Sequence, residues 1–198
     1  MTKERITGIV LAGGRSSRMG SDKGLVQLEG KKFIEHILAA LIPNVNEIII
    51  VANNDNYNTF GYKVVEDIIK DCGPLGGIYT GLMNSKTENN LIVSCDIPFI
   101  NEGLIRYIIE NSGKAEIAVP VYKGNTEPLC AIYTKRITDR LYNLIMCKEL
   151  KIQSVLRHFL TREIHITERQ KFYHDKLFVN INTPEELKQQ MNIGIKSI

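Results

Sequence analysis

CxxC pairs are absent from this chain, whose four cysteines, Cys72, Cys95, Cys130 and Cys147, are widely scattered. That spacing argues against a structural zinc site and against a disulfide framework, and makes a reducing cytoplasm the expected setting. No stretch supplies the roughly 20 apolar residues that a membrane span needs, and the apolar run in MTKERITGIV is too short for the core of a signal peptide. A soluble cytoplasmic protein with no membrane partner is expected. His36, His158, His165 and His174 lack metal-ligand spacing, and the GxSxG elbow of acyl-transfer enzymes is missing. No GxGxxG follows the first apolar run, and Gly20 is followed by Ser21 and Asp22 rather than by the Lys-Ser/Thr of a P-loop. Internal repeats, low-complexity tracts and linkers are missing too, so the 198 residues are expected to form a single domain spanning 1–198. The formal charge of +3 is spread along the chain. No nucleic-acid partner is therefore implied, while an anionic small molecule stays open.

What the chain does contain is a recurrence of short runs rich in Ile and Val: Ile6 to Leu11, Glu47 to Ala52, Lys63 to Val65, Leu91 to Cys95, Ile117 to Val121 and Leu129 to Tyr133. Near-continuous apolar runs of this length suit strands buried on both faces of a parallel sheet. Between them Ile34, Ile37, Leu38 and Leu41 fall at i, i+3, i+4 and i+7, and Leu104, Ile105, Ile108 and Ile109 form a comparable helical stripe. Alternating strands and helices predict an α/β fold, a three-layer, doubly wound, mostly parallel sheet that binds ligands at the carboxyl ends of its strands. The segment LFVNINTPEELKQQ predicts a strand leading into a helix, with Thr183 as N-cap, Pro184 at the first helical position and Glu186 completing a capping box.

Directly after the first predicted strand comes Leu11 to Gly24, LAGGRSSRMGSDKG. Gly13 and Gly14 let the backbone approach a ligand without an intervening Cβ, and exposed N–H groups there suit phosphate oxygens. Arg15, Arg18 and Lys23 add fixed positive charge, Arg as a two-pronged donor and Lys as a point charge. The plainer alternative is a glycine turn with solvated basic residues. Asp96, at the end of LIVSCDIPF, is placed at the sheet's carboxyl edge, where a carboxylate can hold Mg²⁺ together with substrate phosphates, or can simply cap the following turn. CGPLGG, Cys72 to Gly77, suggests a second backbone-lined contact against a base or ribose, with Asp67 able to accept hydrogen bonds; a plain strand-to-helix turn explains it nearly as well. Asn180 and Asn182 flank Ile181, and strand geometry would point both amides to one face, towards a polar substrate, although Asn182 can serve the helix start alone.

With these residues in view, LAGGRSSRMGSDKG resembles the signature of the molybdenum cofactor guanylyltransferases, the molybdopterin-guanine dinucleotide biosynthesis protein A family, within the wider group of sugar-phosphate and isoprenoid nucleotidyltransferases. EDIIKDCGPLGGI, SCDIPFI, EPLCAIY and FVNINTPEEL are similar to that family's later motifs in the expected order, so the likeness spans about nine tenths of the chain. It implies a Rossmann-like nucleotidyltransferase domain that transfers GMP from GTP to the phosphate of Mo-molybdopterin, giving the guanine dinucleotide cofactor and pyrophosphate, with Mg²⁺ as cofactor. By that likeness Leu11, Ala12, Gly13, Gly14, Lys23, Asp67 and Asp96 are expected at GTP, with Asp96 also on Mg²⁺. Arg18 is expected to face the triphosphate, making Lys23, Arg18 and Asp96 the catalytic set, and Asn180 and Asn182 to lie towards the pterin. Transient contact with molybdopterin-delivering or molybdoenzyme-maturation proteins is a further expectation.

Two features qualify the likeness. The family commonly shows His or Gln before its Pro-Leu pair, whereas this chain has Glu127 in EPLCAIY, an acid where an anionic pterin is expected. Relatives that transfer CMP tend to carry LAAG in place of LAGG, and the Asp22-Lys23 pair also suits the guanine branch. An attacking phosphate oxygen is already ionised near neutral pH, so no dedicated general base is needed. The site must supply in-line positioning and charge neutralisation between two anions. The competing readings are another nucleotidyltransferase of the same fold, cytidylyl or sugar-phosphate, and a non-catalytic GTP- or pterin-binding module.

Overall fold

The β-branched runs build one central sheet, and the helical stripes cover it. The computed structural model describes residues 5–13 and 22–193. In chain order its elements are β1 Ile6–Leu11, β2 Gln27–Leu28, β3 Lys31–Lys32, α1 Phe33–Leu41, β4 Glu47–Val51, β5 Lys63–Val65, α2 Gly73–Asn84 and β6 Asn89–Ser94. The second half follows with α3 Glu102–Asn111, β7 Ile117–Tyr122, β8 Asn125–Thr126, β9 Cys130–Thr134, α4 Thr138–Met146, α5 Ile152–Leu156, β10 Thr161–Ile166 and α6 Pro184–Ile193. The sheet runs in the order β10-β7-β9-β6-β1-β4-β5, with β8 paired to β7. Strand β9 is antiparallel to both its neighbours, and the other pairs along that path are parallel.

Successive strand residues point to opposite faces, and the core divides accordingly. Val10, Ile48, Ile50, Leu91 and Val93 meet the apolar stripes of α1 and α3, with Ile34, Ile37 and Leu41 from the first and Leu104, Ile105 and Ile108 from the second. Ile9, Leu11, Ile49, Val51 and Ile92 meet Leu75, Ile78 and Leu82 of α2 and Leu141 and Ile145 of α4 on the other face. Sheet and helices thus form the three layers expected. Helix α2 lies close on the sheet because it is poor in side chains: a Cβ on Gly77 would stand 3.1 Å from Leu11 Cδ2, and one on Gly81 would collide with Ile9. Among the described residues no helix is long and apolar enough to cross a membrane.

Strand β1 has β4 on one side and β6 on the other, so successive crossovers leave it in opposite directions. The carboxyl ends of β1 and β6 therefore flank the topological switch point at which such sheets bind ligands. Several elements differ from expectation. Residues 177–183 form no strand: Leu177, Phe178 and Ile181 are buried, but the segment's N–H groups bond singly to scattered acceptors rather than along a ladder. The capping box that follows does form, with Glu186 N donating to Thr183 Oγ1 at 3.2 Å and Thr183 N to Glu186 Oε2 at 3.3 Å. Strand β10 and the β2-β3 ribbon lie outside the six predicted runs.

Candidate active site

Two strand ends fix the floor of the site. Beyond β1, Ala12 N donates to Val51 O at 2.9 Å, while Leu11 O accepts from Cys95 N at 3.1 Å, so this backbone is held between β4 and the end of β6. The hold delivers Gly13 to the mouth of a cleft of about 1140 Å³ along the carboxyl ends of β1, β4, β5 and β6. That exceeds the roughly 300–1,000 Å³ usual for a small-ligand pocket. Among the described residues other than its chain neighbours, a Cβ on Gly13 would come no nearer than 3.8 Å to any atom, and its φ is not in the left-handed region. The space that the glycine keeps open faces the cleft.

The second piece is the turn Lys23–Leu25, a single 3₁₀ turn held from three directions through Asp22. Asp22 Oδ1 accepts from Gly24 N at 3.3 Å and from the Tyr57 hydroxyl, while its Oδ2 accepts from Asn54 Nδ2 at 3.3 Å. Tyr57 is fully buried, and its hydroxyl also lies 3.3 Å from Ala12 O. Burial, with help from the bond to Asp22, pushes this phenol far above the ordinary tyrosine range, so it acts as a fixed donor. Gly24 packs against it: a Cβ there would lie 3.1 Å from two ring carbons and closer still to the hydroxyl.

So held, Lys23 reaches the end of β6. Its Nζ donates to Asn182 Oδ1 at 2.5 Å and stands 4.0 Å from Asp96 Oδ2, with both members of the ion pair about four-fifths shielded from solvent. Asp96 Oδ1 is buried and has no hydrogen-bond partner. A buried carboxylate oxygen without a donor is costly in a finished protein, so this atom marks where a ligand or cation belongs. Among the described residues no group of three or more His, Cys, Asp and Glu could cage a metal. Mg²⁺, however, commonly takes one or two carboxylates and completes its shell with phosphates and water, and one orphaned carboxylate oxygen fits that pattern. Beside it, burial and the Asp96 charge push the Cys95 thiol up, which leaves it a poor nucleophile.

Asp67, just after β5, lines the cleft. Asn53 Nδ2 donates to Asp67 Oδ2 at 3.1 Å, and Asp67 N donates back to Asn53 Oδ1 at 3.2 Å. Asp67 Oδ1, like Asp96 Oδ1, is buried with no partner. Apart from Gln190 Oε1, these two are the only such side-chain atoms among the described residues. Asn53, which lines the cleft, was missed by sequence reasoning. It opens the polar run Asn53-Asn54-Asp55-Asn56 after an apolar stretch, and only its strand-end position set it apart from those neighbours. Of the CGPLGG stretch, Cys72, Gly73, Pro74 and Gly77 border the cleft. Gly76 instead serves packing, a Cβ there standing 2.7 Å from Ile69 O, while Gly77 both packs on Leu11 and faces Asp67, whose Oδ1 would lie 3.7 Å from a Cβ at that position.

The structure therefore brings Leu11, Ala12, Gly13, Lys23, Asp67 and Asp96 to one sheet edge, whereas Gly14, Arg15 and Arg18 lie outside the described residues. Asn180 and Asn182 do not share a strand face, because the segment is a loop: Asn180 is exposed, and Asn182 turns to Lys23. Glu127 sits just ahead of β9, whose start lies at this same edge because the strand runs antiparallel; Ser94 N donates to Leu129 O there at 2.8 Å. Half-buried, its carboxyl is pushed up to about 7 by desolvation.

Residues 8–167 match the family described as the MobA-like NTP transferase domain. The chain is 39% identical over 97% of its length, and 99% of the relative's, to the "Probable molybdenum cofactor guanylyltransferase" of Flavobacterium johnsoniae. It is 37% identical to the molybdenum cofactor guanylyltransferase of Vibrio parahaemolyticus, covering 91% of this chain and 92% of that one. Among solved structures it is similar to molybdopterin-guanine dinucleotide biosynthesis protein A from Archaeoglobus fulgidus, with a TM-score of 0.80, 25% identity, and 96% of this chain and 99% of that one covered.

Proposed function

Because the chain belongs to the MobA-like NTP transferase family, we infer that it is a molybdenum cofactor guanylyltransferase, a nucleotidyltransferase that joins GMP from GTP to the phosphate of Mo-molybdopterin. An oxygen of the acceptor phosphate attacks the α-phosphorus of GTP; the bond from that phosphorus to the bridging oxygen breaks, and pyrophosphate leaves. The acceptor oxygen is ionised beforehand, so no protein base has to take a proton.

The observation that carries this reading is the meeting of Lys23 with Asp96 at the end of β6, where one carboxylate oxygen is shielded and unpartnered. Lys23 neutralises phosphate charge from a fixed position, which costs little reorganisation during reaction. Asp96 is the residue that would hold Mg²⁺, and a cation bound there would offset the charge that accumulates on the phosphates. The cleft-lining backbone at Gly13, which carries no Cβ, suits approach of the triphosphate, and the unpartnered oxygen of Asp67 suits a donor of the nucleoside. Arg18 completes the proposed catalytic set at the triphosphate. With its carboxyl pushed up to about 7, Glu127 carries only part of its negative charge near neutrality, which eases its placement on the acceptor side. One nucleotidyltransferase domain over residues 1–198 carries these groups. The burial of Cys72, Cys95 and Cys130 as free thiols supports work in the cytoplasm.

Titration calorimetry with Mg²⁺ and GTP, CTP, ATP and UTP in turn tests the reading, followed by pyrophosphate release with molybdopterin as acceptor. Preference for GTP and release of pyrophosphate are expected. Preference for CTP would move the protein to the cytidylyl branch, and nucleotide binding without turnover on any acceptor would make it a binding module.

A further inference from the structure

We propose that Asn182 is a positioning residue for Lys23, and that the segment Ile181–Asn182 clasps Lys23 and Asp96 together so that GTP affinity depends on it. The proposal rests on the guanylyltransferase reading but assigns Asn182 to the nucleotide side rather than to the pterin.

Two adjacent residues reach the two catalytic groups by different routes. Ile181 N donates to Asp96 O at 3.0 Å, and Asn182 Oδ1 accepts from Lys23 Nζ at 2.5 Å. An ammonium has donors only, so the amide atom that faces it must be the oxygen. The clasp is anchored on both sides. Ile181 is fully buried in a small cluster with Leu28 and Phe33, which ties it to the ribbon and to α1 just beyond the Lys23 turn. Asn182 N donates to Glu186 Oε2 at 2.6 Å, the carboxylate that also accepts from Thr183 N in the capping box of α6. The capping box therefore holds residue 182 still, and its amide in turn holds the lysine. A lysine side chain has several free rotors, and fixing its head before the ligand arrives removes part of the entropy cost of binding. The clasping residues Ile181 and Asn182 lie beyond the matched stretch 8–167, while the Lys23 and Asp96 they hold lie within it.

Calorimetry of Mg²⁺·GTP, with no acceptor present, separates this role from a pterin contact. Asn182→Ala is expected to weaken GTP binding about tenfold, as a charge-assisted hydrogen bond would. The double variant with Lys23→Ala should bind no worse than Lys23→Ala alone, since both remove one interaction. Asn182→Asp, which keeps an oxygen acceptor in place, should stay within about threefold of the wild type, and it decides the question if the alanine variant does not fold. Wild-type GTP affinity in Asn182→Ala, losses that simply add in the double variant, or an Asn182→Asp variant as weak as the alanine would each overturn the proposal. Absence of nucleotide binding in the wild type would instead sink the guanylyltransferase reading and this proposal with it.

Discussion

Asn53 and Asp67 hold each other at both ends, side chain to carboxylate at 3.1 Å and backbone N–H to side-chain oxygen at 3.2 Å. The reciprocal pair locks the rotamer of Asp67 and leaves its Oδ1 shielded and unpaired in the cleft. Asp67→Ala is therefore expected to weaken GTP binding by roughly ten- to a hundredfold, the range for losing a hydrogen bond to a charged group. Asn53→Ala should cost less, because it only frees the carboxylate to turn. Calorimetry on both variants checks the order, and unaltered GTP affinity in Asp67→Ala would remove Asp67 from the nucleotide site.

Asp96→Ala should lower kcat at least about a hundredfold while leaving the fold intact. The variant also deletes a buried oxygen that lacks a partner, so its melting temperature should equal or exceed that of the wild type. Pyrophosphate release and a thermal melt, run side by side, read both effects. Full activity would refute the metal assignment.

Tyr57→Phe keeps the buried ring and removes only the hydroxyl that reaches Asp22 and Ala12 O. A cost of about 1–3 kcal/mol in unfolding free energy is expected, together with weaker GTP binding as the Lys23 turn loosens. Gly24→Ala should be similarly damaging, because its Cβ runs into the same ring. Urea unfolding of the two variants tests this, and wild-type stability in both would mean that the turn is held by other contacts.

Much of this was legible beforehand, for reasons visible in particular residues. Runs such as GIVL and IIIV announce strands because both their faces are covered, and SCDIPF places Asp96 because an apolar strand must end where its carboxylate begins. TREIHI of β10 escaped notice because an edge strand buries only alternate residues, here Ile164 and Ile166. LFVNIN read as a strand because its apolar residues do enter the core, but burial does not specify a ladder: one N–H went to Asp96 and two to Glu186. The bond from Lys23 to Asn182 spans 159 positions and had no local signature at all.

Stability should also carry the mark of Glu127. Its carboxyl rises from an ordinary 4.5 to about 7 on folding, so between those values the native state holds more protons than the unfolded chain. Stability then falls as pH climbs through that window and is flat with respect to this group on either side. Glu127→Gln should remove this slope, nearly matching the wild type at pH 4.5 and exceeding it at pH 8. Denaturation midpoints across that range provide the check, and parallel curves for the two proteins would show that Glu127 titrates normally.

The clasp at residues 181–182 gives the order of synthesis a functional meaning. Chains emerge amino end first, and a contact between positions this far apart is among the last that a growing polypeptide can make. Every described strand of the sheet precedes residue 167, so a copy halted before residue 180 contains those strands together with Lys23 and Asp96, yet lacks the Asn182 amide that accepts from the lysine. A chain cut before residue 180 is therefore expected to bind GTP more weakly than one that includes the clasp, a loss that calorimetry would read.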